Sequence, residues 1–203
     1  PFPYFLKGKE CGCDTLETFD DMAFYAALNN GEKVTTSQIN PQKYIDYMRP
    51  ILESGKDILF IGLSSGISGA FSSAVIAKEQ LNDEFPERRI ELVDSLGASL
   101  GEGLIALKAA EYRAEGKTIG ETAEEIRIHI EKMYQVFTVD DLMFLKRTGR
   151  LSNLSAVVGT VLGIKPILKG NEEGKIVAFG KVRGRAKVIS ALAEKYNALV
   201  KDP

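Results

Sequence analysis

The chain has 203 residues, 44% hydrophobic and 27% charged, with a formal net charge of −2. That length permits one full domain or one and a half, and the apolar share is ample for a buried core and excludes a disordered chain. The near-neutral balance gives no field for nucleic acid, and no apolar run approaches the roughly 20 residues of a membrane span, so neither nucleic-acid binding nor stable membrane insertion is expected.

In chain order, residues 1–16 read as a strand, a turn at Lys7-Gly8-Lys9 and a second strand or loop. Cys11 and Cys13 flank one glycine. A metal site would need further Cys or His ligands, so they read as reduced surface thiols. With no signal-peptide pattern at the start, a cytoplasmic protein is expected. Thr18 to Asn29 reads as a helix with Phe19, Met22, Ala23 and Ala26 on one face, stopped by Asn29-Asn30-Gly31. Val34 to Gln38 is polar and rich in β-branched residues. Asn40-Pro41 then supplies the N-cap and first-turn proline of a helix to about Ser54.

Asp57 to Ser73 is the stretch around which the rest is organised. A buried-looking strand, Ile58 to Ile61, enters a loop with Ser64, Ser65, Gly66, Ser68 and Gly69, and a helix follows with apolar Val75, Ile76 and Leu81. A small-residue loop at a helix N-terminus presents unpaired N–H groups and the positive end of the helix dipole, which is an anion site. The hydroxyl-rich 34–38 stretch before the next helix repeats that logic.

Arg89 to Asp94 reads as a strand, Ser95 to Gly103 as a small-residue turn, and a helix runs to about Glu115. Thr118 and Glu121 form a capping box for a helix to about Met133. Tyr134 to Val139 reads as a strand, 141–146 as a short helix, and 152–162 as another. Two strands, Ile164 to Leu168 and Lys175 to Val182, flank an Asn171-to-Gly174 turn, and Gly184 to Val200 is a last helix. Strands alternating with helices from 34 to 139 predict an α/β fold with a mostly parallel sheet flanked by helices over residues 1–140. A smaller α+β domain, probed only in part by this chain, is expected over 141–203.

Gly66-Ile67-Ser68-Gly69-Ala70 is one residue from a G-x-S-x-G nucleophile elbow, which keeps a serine hydrolase using Ser68 as an alternative. Its base would have to be His129, the only histidine, which lies mid-helix among charges, so Ser68 reads better as a ligand donor. Gly101 to Ala106 matches the short G-x-G-x-x-A pattern, which helix–sheet packing also demands, and no P-loop motif occurs. Arg147, Arg150, Arg183 and Arg185 stand in two Gly-containing basic loops suited to phosphate or to a protein carboxylate.

Several segments taken together resemble the DegV family of bacterial fatty-acid-binding proteins. They are Thr35-Thr36-Ser37-Gln38 with Asn40-Pro41, Ser64 to Gly69, Asp94-Ser95 with Ser99 to Gly103, Leu145 to Leu151, Ile164 to Leu168, and Lys181 to Arg185. The resemblance implies a two-domain carrier, not an enzyme, that holds one long-chain fatty acid and no cofactor. Its carboxylate would lie on Thr36, Ser37, Ser65 and Ser68 with Gly66 and Gly69, and it would be presented to a separate fatty-acid kinase. Arg147, Arg150, Arg183 and Arg185 are the candidates for the kinase-facing surface. A regulatory module with a vestigial pocket is a further alternative. Family members usually begin with a strand and a D-S-T-x-D-L loop and end with a His-containing, Gly-rich strand, and Ala70 stands where a Thr is common. Truncation at both ends is therefore expected.

Overall fold

The computed structural model describes residues 4–11, 19–140, 142, 145, 148–150 and 163–200. Its centre is a pair of parallel strands, β4 (Ile58–Gly62) and β5 (Ile90–Asp94), in register from Ile58 opposite Ile90 to Gly62 opposite Asp94. Helices cover both faces, as parallel strands require. On one face, α2 (Pro41–Glu53) and α3 (Ala70–Glu84) enclose Tyr44, Ile45, Met48, Leu52, Ala74, Ala77 and Leu81 against Ile58 and Ile90. On the other, α4 (Leu100–Ala114) and α5 (Ile119–Lys132) enclose Ile105, Ala109, Ala123 and Ile126 against Val93. The buried stripe of α3 is made of small residues, Ala70, Ser73, Ala74 and Ala77, ending at Leu81. Ile76, expected among the apolar positions, is 53% exposed, because the close approach of α2 takes the alanine face instead.

Ahead of this unit, β1 (Tyr4–Leu6) and β2 (Lys9–Cys11) form a hairpin over a two-residue turn. Lys7 and Gly8 both take positive φ there, 54° and 80°, the geometry that matches the twist of paired strands. The helix expected from Thr18 is α1 (Asp21–Asn29), capped by Asp20, whose carboxylate accepts the Ala23 N–H at 2.9 Å; Thr18 lies outside the described residues. Its packing face carries Phe24, which meets Tyr4 and Phe19 edge-on or tilted, and Met22 points to solvent.

Parallel pairing is narrower than the alternation of strands and helices predicts. Among the described residues it is confined to β4 and β5. The short β3 (Val34–Thr36) joins the edge of β1 antiparallel, and β6 (Val136–Phe137) joins β7 (Ile164–Gly170) antiparallel. The reason lies in cover and connection. β4 and β5 have helices packed on both faces, whereas β1 and β2, and β7 and β8 (Ile176–Arg183), are joined by short turns, which pair strands antiparallel.

The third sheet has the order β6–β7–β8, with β8 spanning Ile176–Arg183 and α6 (Arg185–Leu199) packed on it through Val188. Pro166 is tolerated in β7 because β6 reaches only to Leu168, leaving a paired strand on one side at the proline. The β7–β8 turn is closed by Asn171, whose side-chain oxygen accepts the N–H of Glu173 and of Lys175, at 3.1 and 2.8 Å. Apart from Leu142 and Leu145, the helices expected over 141–146 and 152–162 lie outside the described residues. Among the described residues, no helix is long and apolar enough to cross a membrane.

Candidate functional site

The loop after β4 stands at the carboxyl end of the parallel strands, where α/β sheets place their ligands. Ser64 is buried. Its hydroxyl donates to the Gly174 carbonyl at 2.8 Å and accepts the Gly66 N–H at 3.2 Å, so it ties the loop to the β7–β8 turn and faces no ligand. The Ser65 N–H is taken by the Asp94 carboxylate, at 3.2 and 3.3 Å to its two oxygens. Ser68 Oγ accepts the Ala70 N–H at 3.2 Å, which leaves its own O–H free to donate outward. The cap of α3 is Gly69, which has no side chain to bond the first-turn amides. By contrast α2 is capped by Asn40, which accepts the Lys43 N–H at 2.9 Å. Of the two helix N-termini expected to serve an anion, only that of α3 lacks a bond from its cap residue, Ser68 Oγ taking its first amide alone.

Two glycines allow two distant segments to close on this loop. A Cβ on Gly66 would lie 2.3 Å from the Glu173 carbonyl oxygen, so the β7–β8 turn packs directly on the loop backbone. A Cβ on Gly69 would lie 2.3 Å from the side-chain oxygen of Gln38. Gln38 donates to the Gly69 carbonyl at 2.9 Å and to Ser73 Oγ at 2.8 Å, and so moors the 35–38 segment beside the serine loop. Ser64, expected among the hydroxyls open to an anion, is spent on a structural bond instead, and the roles of Gln38 and Ser64 come from contacts that span 31 and 110 residues of sequence.

Together these segments form a polar cavity of about 440 Å³, lined by Ser65, Gly66, Ile67, Ser68 and Gly69 with Thr148, Gly149, Arg150 and Lys175. Ser65, Ser68, Gly66 and Gly69 thus meet Arg150 in one place, and Lys175 joins them unforeseen. Thr36 and Ser37 are exposed and adjoin this loop through Gln38 without lining the cavity. Arg183 and Arg185 lie elsewhere, at the end of β8 and the start of α6, where Arg185 bonds Asp140 at 2.7 Å. Lys165 joins that pair, and the two cations hold the Asp140 carboxyl below its usual range. Arg147 lies outside the described residues.

A second cavity of about 510 Å³ is apolar and is lined by every residue from Ile58 to Leu63, with residues of α2, Phe71 and Glu102. Consecutive strand residues face opposite ways, so this groove follows the edge of β4 that carries no strand among the described residues. Glu102 stands in its wall, and burial raises its carboxyl above the ordinary value. Burial, with the Glu102 charge second, likewise raises the Tyr44 phenol.

Of the two glycines in the G-x-G-x-x-A pattern, Gly101 faces the Gln135 amide, 2.1 Å from an added Cβ, and Gly103 meets nothing within 4 Å; Gly97, just ahead of the pattern, also faces Gln135, at 2.2 Å. His129 sits in the last turn of α5 and takes no part in lining the serine-loop cavity.

An α/β/α layer whose strand-to-helix loop opens into a hydroxyl- and cation-lined cavity defines an α/β protein with a polar pocket at its strand ends. The chain belongs to the DegV family: the family model described as uncharacterised protein, DegV family, matches residues 12–202. It is 34% identical over 203 residues to a DegV domain-containing protein of Clostridium perfringens, covering 97% of this chain and 70% of that one. Among solved structures, it resembles a DegV family protein of Ruminococcus gnavus refined with vaccenic acid, with a TM-score of 0.86 and 26% identity over 99% of this chain and 70% of that chain. A DegV family protein of Thermus thermophilus, described as fatty acid binding, gives a TM-score of 0.84 at 30% identity, over 99% and 69%.

Proposed function

We propose that this chain is a lipid-binding protein that holds one long-chain fatty acid by its carboxylate. The head group lies on the loop of Ser65, Gly66, Ser68 and Gly69, with Thr36 and Ser37 brought alongside. The observation that carries this reading is the cavity itself: the Ser65 and Ser68 hydroxyls, a helix N-terminus capped only by glycine and two cations converge, in a chain alike to structures of fatty-acid-binding relatives. The acid is presented to a partner kinase in the cytoplasm, and the carrier does no chemistry of its own. Residues 141–203 belong to a second unit whose β7–β8 turn closes the site. The exposed arginines Arg150, Arg183 and Arg185, with Arg147, are the surface offered to that partner.

Palmitate titration by displacement of a fluorescent fatty acid tests the reading. Removing a donor to a charged acceptor costs about 1.5–3 kcal/mol, so Ser68→Ala weakens binding about tenfold or more. Gln38→Ala weakens it by releasing the 35–38 segment. Full palmitate affinity in both variants would contradict the site. Covalent labelling of Ser68 by a fluorophosphonate would instead favour a hydrolase.

A further inference from the structure

The apolar groove along β4 begins where the serine-loop cavity ends. Leu63 and Ala70 line the groove, and residues 65–69 between them line the polar cavity. A molecule anchored by its carboxylate on the serine loop therefore has the groove beside it for its hydrocarbon. Of the four polar side chains in the groove wall, Lys43 and Tyr47 are exposed, whereas Tyr44 is buried and Glu102 half-buried. Neither the Tyr44 hydroxyl nor the Glu102 carboxyl has a hydrogen-bond or ion-pair partner among the described residues, and the Glu102 charge is felt at the Tyr44 phenol. They stand on α2 and α4, helices of opposite faces, and so look onto the groove from either side. A plain methylene chain laid between them would strip their remaining water and return no bond. A hydroxyl on that chain donates to the carboxylate and can accept from the phenol. A cationic group suits the wall less, because Lys43 shares it. The height of the two groups is also fixed. α2 ends just before β4 begins and α4 starts just after β5 ends, so both helices begin near the carboxyl ends of the strands. Glu102 is in the first turn of α4 and Tyr44 is near the start of α2, at the end of the sheet where the serine loop stands.

We propose that the groove selects an acyl chain bearing a hydroxyl on its carboxylate-proximal half, with Glu102 as the specificity-determining residue and Tyr44 as its second partner. The proposal rests on the reading of the serine loop as the carboxylate site of a lipid carrier. It names the class of acyl chain that this carrier prefers.

The test is displacement of a fluorescent fatty acid from the whole chain at pH 8 by palmitate, by each of its isomers hydroxylated from carbon 3 to carbon 8, and by 16-hydroxypalmitate. The best proximal isomer binds about tenfold tighter than palmitate, as a hydrogen bond to a charged acceptor warrants. The distal hydroxyl of 16-hydroxypalmitate brings no gain. In Glu102→Leu, checked for an unchanged circular dichroism spectrum, palmitate and the best proximal isomer bind alike. Glu102→Gln, which keeps the shape and a neutral acceptor, retains part of the preference. If no proximal isomer binds tighter than palmitate, with palmitate still bound, the selection is overturned and the carrier reading stands. A preference that survives Glu102→Leu in full overturns the role of Glu102. A 16-hydroxypalmitate affinity equal to that of the best proximal isomer overturns the placement of the hydroxyl. If neither palmitate nor any hydroxy acid binds, the carrier reading fails and this proposal with it.

Discussion

Two glycines of this chain look alike in sequence and carry opposite predictions. Gly66 faces backbone: the Glu173 carbonyl oxygen would be 2.3 Å from an added Cβ, and a turn cannot swing away as a side chain does. Gly66→Ala is expected to cost about 1–3 kcal/mol as overpacking, read as a lower melting temperature. Gly103, exposed on α4 with nothing within 4 Å, should gain about 0.5–1 kcal/mol as alanine. Equal effects in the two variants would refute the packing described at the loop. Glu102 supplies a pH test. Its folded pKa lies above the unfolded value, so the charged form is disfavoured in the folded state, and the penalty is present at neutral pH and relieved as pH falls through the folded pKa. Glu102→Gln should therefore melt higher than the native chain at pH 8, with the difference closing below about pH 4.3, where both forms are neutral. A difference independent of pH would rule this out. The hydroxyls of the serine loop were legible from strand, small-residue loop and helix in succession. Lys175 was not, and Gln38 stood only as part of a matching segment with no sign of its bonds to Gly69 and Ser73, since a mooring bond or a cavity wall contributed from a distant segment leaves no local pattern.

Among the elements, local codes were read correctly and pairings less so. The capping box is an instance of the first: the Thr118 hydroxyl accepts the Glu121 N–H at 3.3 Å, and the Glu121 carboxylate accepts the Thr118 N–H at 2.8 Å. Both bonds lie within four residues, and Thr118→Ala should cost about 1 kcal/mol, measurable by urea denaturation. No loss on that substitution would mean that α5 is held by its buried Ala123 and Ile126 alone. The pairing of β3 with β1 is an instance of the second. A three-residue strand has too few side chains to declare a partner, and alternation with helices predicted a parallel one. Ser64 links elements too. Its bond to Gly174 is buried, so Ser64→Ala leaves a carbonyl unsatisfied and should cost about 1–3 kcal/mol while loosening the β7–β8 turn. Faster amide exchange at 171–175 in that variant is the expected sign, and unchanged exchange would argue that the turn is held by Asn171 alone.

For the molecule as a whole, the cavity is a meeting of segments from far apart in the chain, the 65–69 loop, residues 148–150 and the β7–β8 turn at Lys175, with the 35–38 segment moored beside it through Gln38. A fatty acid whose carboxylate is held there should gain affinity with chain length, since each CH₂ taken out of water contributes about 0.8 kcal/mol, or roughly fourfold. The most direct measurement is native mass spectrometry of the purified protein, followed by denaturation and lipid analysis of what is released. The account predicts one long-chain acyl ligand per chain, lost in a Ser65→Ala/Ser68→Ala variant that still folds. A ligand-free mass that takes up neither palmitate nor oleate would contradict it.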